Sequence, residues 1–171
     1  MKRKLKFLLV PILALIIMMA PDHADAQKYR IAAGWRAGGT NGITMKLVPV
    51  KGLAIEGIYG IYPYGQSLTG MIESHRPILC IQALQLYTGI GGHYRFNYMS
   101  GRFSDPINGT FEVDAPPGTR GWGLDAVAGI ELKLPILPIA ISAEVKPMIE
   151  WTNAGAYFWG IDPGLGLKVA F

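Results

Sequence analysis

Past the first thirty residues, apolar side chains recur at every second position through segment after segment, and the charges of each segment keep to the positions between. Leu165, Leu167, Val169 and Phe171 alternate with Gly164, Gly166, Lys168 and Ala170. Ile139, Ile141, Ala143, Val145, Ile149 and Trp151 alternate with Ala140, Ser142, Glu144, Lys146, Met148 and Glu150. Trp122, Leu124, Ala126, Ala128, Ile130, Leu132 and Leu134 form one face of a third segment, opposite Asp125, Glu131 and Lys133. A period of two is the pattern of a β-strand with one apolar face, whereas helical spacing would scatter these charges round every side. Leu84 to Tyr98 reads the same way, with Gln85, Tyr87, His93, Arg95 and Asn97 on the polar face. Four weaker segments precede it: Tyr29 to Arg36, Gly42 to Val48, Leu53 to Tyr62 and Ser67 to His75. The pattern predicts an all-β, eight-stranded antiparallel up-and-down barrel. The count depends on Gly38-Gly39-Thr40-Asn41-Gly42, which reads equally as a turn between two strands or as a bulge in one bent strand.

The chain opens with Lys2, Arg3, Lys4 and Lys6, followed by an apolar run from Phe7 to Ala20 and the small residues Ala24 and Ala26. That is the pattern of a secretory signal peptide over 1–26, too short to be a comfortable membrane anchor. The expected mature domain is 27–171. Four of the 16 Lys and Arg and two of the 12 Asp and Glu belong to the leader, so the mature domain is nearly neutral. It has no basic run, and a nucleic-acid partner is not expected. Cys80, the single cysteine, forms no internal disulfide, so an exported domain of this kind must be held together by other means.

Alternation alone does not say which face is inside. Eight strands enclose a lumen that side chains roughly fill, too narrow for the Trp- and Leu-bearing face. The small and charged face is therefore expected within and the apolar face against lipid, making the barrel transmembrane. The inward parity gathers Arg30, Arg36, Lys46, Arg95, Lys133, Lys146 and Lys168 with Glu56, Glu73, Asp125, Glu131, Glu144, Glu150 and Asp162, seven cations and seven anions. A lysine or arginine facing mid-bilayer lipid costs about 2 to 4 kcal/mol, and none is found on the outward parity of the eight segments. The balanced charges predict a lumen plugged by ion pairs and without a continuous pore. Trp35, Tyr59, Tyr62, Tyr98, Trp122, Trp151, Tyr157, Phe158 and Trp159 lie near one set of strand ends, as an interfacial aromatic girdle would.

The terminal Gly164-Leu165-Gly166-Leu167-Lys168-Val169-Ala170-Phe171 resembles the assembly signal of bacterial outer-membrane proteins. The mature chain as a whole resembles the small OmpA/OmpX-like barrel superfamily, and Ala33-Gly34-Trp35-Arg36-Ala37-Gly38 is similar to its first strands. This resemblance implies that Leu165, Leu167, Val169 and Phe171 are read by the barrel-assembly machinery. It also implies residence in the bacterial outer membrane among its lipids and lipopolysaccharide. The peptidoglycan-binding role of longer members is not implied, since no such domain follows Phe171.

Some barrels of this architecture modify lipid A, which makes His75 and His93 candidates for chemistry. Glu73 and His75 share a parity, but Ser74 lies on the opposite one, and a nucleophile must reach its base. His93 is expected beside Ser67 and Asn97, with no acid as its clear partner. Residues for a metal site or a cofactor are not expected, because cationic neighbours compensate the carboxylates. The expected polar lumen network is Lys46, Glu56, Glu73, His93, Arg95, Asp125, Glu131, Lys133, Glu144, Lys146 and Lys168. The long connection from Gly101 to Arg120 holds turn formers and the apolar residues Phe103, Ile107, Phe111 and Val113. It is a candidate surface for a partner, although extension of a β-hairpin explains the same residues. Its Asn108-Gly109-Thr110 matches a glycosylation pattern that carries no weight in a bacterial protein. The expected role is non-enzymatic, in envelope integrity or surface interaction. The alternatives are a narrow channel for small solutes, a lipid A-modifying enzyme and a secreted ligand-binding barrel. Loss of Phe171 is expected to impair assembly far more than replacement of Lys168 by alanine.

Overall fold

The computed structural model describes residues 30–62, 65–78, 81–97, 101–105, 109–115, 117–134, 136–153 and 157–171. The leader, Cys80 and Asn108 lie outside the described residues. Ten strands follow one another: β1 (Ile31–Gly38), β2 (Asn41–Val50), β3 (Leu53–Tyr62), β4 (Gly65–Ile78), β5 (Ile81–Asn97), β6 (Gly101–Asp105), β7 (Gly109–Ala115), β8 (Arg120–Lys133), β9 (Ile139–Thr152) and β10 (Tyr157–Ala170). Eight close into an antiparallel barrel in the order β1-β10-β9-β8-β5-β4-β3-β2, while β6 and β7 form a separate two-stranded sheet. Every barrel neighbour is a neighbour in sequence apart from the β5–β8 pair, which the hairpin interrupts, and the β1–β10 seam.

The opening glycine-rich stretch is a turn between two strands, with Arg36 opposite Gly42. The Asn41 side-chain carbonyl accepts from the Gly38 backbone N–H at 3.0 Å, and this local bond favours reversal over a bulge. At the β2–β3 turn, Gly52 has a φ of 78°, a left-handed conformation that disfavours any residue with a Cβ. The long connection contains the β6–β7 hairpin, whose register places Phe103 opposite Phe111.

Strand ends differ from expectation chiefly at prolines. β4 continues through Pro77, which pairs with Gln85, and β5 starts at Ile81. Proline removes only a donor, so a strand end can accommodate it. The extension places Arg76 on the exterior parity of β4, and β8 likewise begins with the exterior Arg120. The exterior thus does carry cations, both at strand ends.

The barrel has two unlike ends. The terminal end holds Arg30, Phe171 and the β2–β3, β4–β5 and β8–β9 connections; the hairpin end holds the β1–β2, β3–β4 and β9–β10 connections and the β6–β7 hairpin. Burial alternates along the strands: in β3 Ala54, Glu56, Ile58 and Gly60 are buried while Leu53, Ile55, Gly57 and Tyr59 are exposed. Ile43, Leu68, Ile90, Leu124, Ile141 and Leu165 are among the large exterior side chains. The interior apolar residues are few: Ala32, Val48, Ala54 and Ala170 cluster toward the terminal end, and Met71, Tyr87 and Val127 touch further along. Ile58 and Ala140 are also buried, and the other large side chains of the described interior are mostly polar or charged.

Candidate functional site

Alternation sends one residue in two from each strand into the lumen, where the ladder sets which of them meet. Lys46 of β2 is fully buried, and its Nζ lies 3.0 Å from Glu56 of β3, 2.8 Å from Glu73 of β4 and 3.2 Å from Glu131 of β8. The same ammonium stands 4.5 Å from the centre of the Tyr87 ring. Glu56 also pairs with Lys168 of β10 at 2.8 Å and accepts from the Thr44 hydroxyl. His75 completes this cluster, with Nε2 2.9 Å from Glu73, Nδ1 3.2 Å from the Gln85 side-chain Oε1, and its ring stacked on Tyr87.

Arg36 organises a second cluster. Its Nε donates to Glu144 at 2.6 Å, and its Nη1 donates to the Thr40 carbonyl at 2.7 Å and lies 3.2 Å from Asp162. Glu144 also accepts from the Tyr87 hydroxyl, so Tyr87 joins the two clusters. Lys146 stands 3.5 Å from Asp162 and 3.9 Å from Asp125. It leads to a third cluster, in which His93 sits between Asp125 on Nδ1 at 2.9 Å and Glu150 on Nε2 at 2.8 Å. Arg95 lies 3.2 Å from Glu150 and over the Tyr62 ring.

Of the expected network, Lys46, Glu56, Glu73, His93, Arg95, Asp125, Glu131, Glu144, Lys146 and Lys168 come together in this way. Lys133 does not share their full burial; it is half-buried at the last position of β8. Arg30 was also expected inside and is exposed at the terminal rim, one residue ahead of β1. His93 was expected beside Ser67 and without an acid. The register instead sets it opposite Thr69 and Gly123, with Ser67 opposite Arg95. Both acids bound to His93 come from other strands, Asp125 from β8 and Glu150 from β9. Tyr87, Gln85 and Thr44 are further members, visible in the sequence only as inward-parity residues. Ser74 is half-buried while His75 beside it is buried, consistent with opposite faces.

With Arg30 and Lys133 at the rim, the fully buried charges among the described residues are five cations, Arg36, Lys46, Arg95, Lys146 and Lys168, and seven carboxylates. The two histidines each contact a carboxylate. His93 has a carboxylate on both ring nitrogens, so the Asp125–His93–Glu150 triple needs two protons for two hydrogen bonds. In so enclosed a space a charge is costly unless a partner meets it. Chemically the lumen is an ion-paired core that crosslinks all eight barrel strands by more than backbone bonds, with Arg36 carrying β1 into the network.

Leu165, Leu167, Val169 and Phe171 all point to the exterior, with Phe171 73% exposed at the terminal end. A groove of about 740 Å³ lies along the wall, bordered by exterior residues of β1, β8, β9 and β10 such as Ala37, Ala128, Val145 and Leu165. Comparison with known proteins gives no match, whether by family model, curated sequence or solved structure.

Proposed function

We propose that this protein is a non-enzymatic integral barrel of the bacterial outer membrane, with a plugged lumen, serving envelope integrity or surface interaction. The observation that carries this reading is the inverted distribution of side chains. The exterior is a belt of Ile, Leu, Val and Trp from every barrel strand, and the interior holds the charges. In water such a belt is an exposed apolar surface far larger than soluble monomers carry. In a bilayer it is the expected outer face of a closed barrel whose backbone groups are satisfied between strands. The barrel strands of 8 to 17 residues bracket the roughly 9 to 11 tilted residues needed to cross the hydrocarbon core. Exterior Trp35, Tyr59, Trp122 and Trp159 near the hairpin end suit an interfacial girdle.

On this reading the leader directs export and is removed. The barrel-assembly machinery engages the exterior Leu165, Leu167, Val169 and Phe171, and lipid and lipopolysaccharide surround the belt. The hairpin between Gly101 and Arg120 stands at the cell surface as the element available to a partner. The network across the lumen supports plugging, because Lys46 and Arg36 each bind carboxylates from several strands.

The test is gel mobility of boiled and unboiled protein from a detergent-insoluble outer-membrane fraction. A heat-dependent shift is expected. Protein found soluble in periplasm or medium, with no shift, would overturn the membrane reading in favour of a secreted barrel.

A further inference from the structure

The two ends of the barrel differ in sign as well as in shape. At the terminal end Arg30 precedes β1, Lys51 sits in the β2–β3 turn, Arg76 closes the exterior face of β4, and Lys133 ends β8. These four cations lie at successive places round the rim, and Lys51, Arg76 and Lys133 also interact within the protein. Among the described residues no Asp or Glu side chain is exposed there, since Glu56, Glu73, Asp125, Glu131, Glu144, Glu150 and Asp162 are all buried in the lumen. The remaining acids of the mature chain, Asp105, Glu112 and Asp114, belong to the hairpin at the other end. The same terminal rim exposes apolar side chains where polar turn residues would ordinarily meet water: Val50, Ile81, Leu137, Phe171 and Ile136, the last 92% exposed.

We propose that this terminal rim is a binding surface for anionic phospholipid headgroups, with its apolar turns seated at the headgroup–acyl boundary. The inference rests on the membrane reading above and adds to it which lipid the protein prefers and which end meets it. A ring explains the choice of a lipid surface over a protein partner. A docked protein covers one side of a barrel end, whereas cations and exposed apolar residues here are shared among β1, β2–β3, β4–β5, β8–β9 and β10. A bilayer surface surrounds the barrel and meets all of them together. Long basic side chains with their stems on apolar neighbours place the charge at headgroup level, and each cation near an anionic surface strengthens the attraction severalfold at low salt.

The experiment uses folded mature protein reconstituted in vesicles of phosphatidylglycerol and phosphatidylcholine in equal parts, followed by detergent extraction and mass spectrometry of retained lipid. Wild type is expected to retain phosphatidylglycerol about fivefold or more over phosphatidylcholine, with the preference falling toward unity in high salt. The R30Q/K51Q/R76Q/K133Q variant is expected to lose the preference while still showing the heat-dependent gel shift, and Arg120→Gln, at the hairpin end, is expected to keep it. Inserted, heat-modifiable wild type that retains the two lipids equally, or a preference that high salt leaves unchanged, would overturn the proposal and leave the membrane reading standing. Wild type that inserts into neither lipid would overturn both.

Discussion

Lys46 shows how much one side chain can hold in this interior. It neutralises Glu56, Glu73 and Glu131 together, so replacing it by methionine preserves volume and leaves three buried carboxylates short of a cation. Breaking such a cluster costs about 3 to 5 kcal/mol, and the midpoint of denaturant unfolding in detergent micelles is expected to fall accordingly. Lys168 belongs to the same cluster through Glu56, which alters the contrast drawn from sequence between its loss and that of Phe171. Lys168→Ala is expected to lower stability in detergent, because it strips a charge partner from the buried Glu56. Phe171→Ala removes an exposed side chain. It is expected to refold in detergent like wild type and to reduce the yield of assembled barrel in cells; equal loss at both steps would count against a recognition role for Phe171. A Cβ at Gly34 would come 2.0 Å from the Leu167 carbonyl oxygen across the β1–β10 seam, whereas one at Gly57 would meet nothing within 4 Å. Gly34→Ala is thus expected to abolish the heat-modifiable band and Gly57→Ala to preserve it.

The eight barrel strands were legible because alternation and charge parity reinforce each other over long runs. Leu165 to Ala170 and Trp122 to Lys133 lie in strands where the pattern placed them, with Leu134 and Phe171 just past the strand ends. What parity does not carry is register. It gave the face on which His93 lies, but its partners Asp125 and Glu150 depend on how far β5 slides along β8 and on how β9 follows. Proline hid another boundary: Pro77 suggests a strand end at His75, whereas β4 continues to Ile78 and brings Arg76 to the rim. Arg30 and Lys133 show a further limit, since parity says in or out but not whether a residue is high or low enough to be enclosed. The β6–β7 hairpin is a sheet apart from the barrel, and an element with no ladder to the wall is dispensable for closure. Replacing residues 101–115 by a short glycine-serine turn is expected to leave heat-modifiability and unfolding midpoint within error of wild type. A collapse of the barrel would mean that the hairpin is part of its folding unit.

Taken whole, the molecule is a cylinder whose middle is filled with paired charges instead of hydrocarbon. Tyr87 joins the Lys46 and Arg36 clusters, and Lys146 joins Arg36 to His93 through Asp162 and Asp125. An ion entering this lumen would have to displace partners already within about 3 Å of one another, with no gain in coordination to offset the loss. Purified protein in planar bilayers is therefore expected to show no steady unitary conductance; reproducible single-channel steps would refute the plugged lumen.

The Arg30 backbone N–H donates to the Phe171 carbonyl at 2.7 Å, so the two ends of the folded domain are neighbours in a ring of strands. A ring has no intrinsic first member; only the polypeptide's order of synthesis designates one. A circular permutant that joins residue 171 to residue 30 and is opened between Lys51 and Gly52 keeps every ladder except that turn. It is expected to refold in detergent to the same cylinder. In a cell it would present β2 in place of β10 as the last strand to emerge. If the permutant folds in micelles but fails to reach the membrane, the information in β10 is an address, separable from the architecture it helps to close.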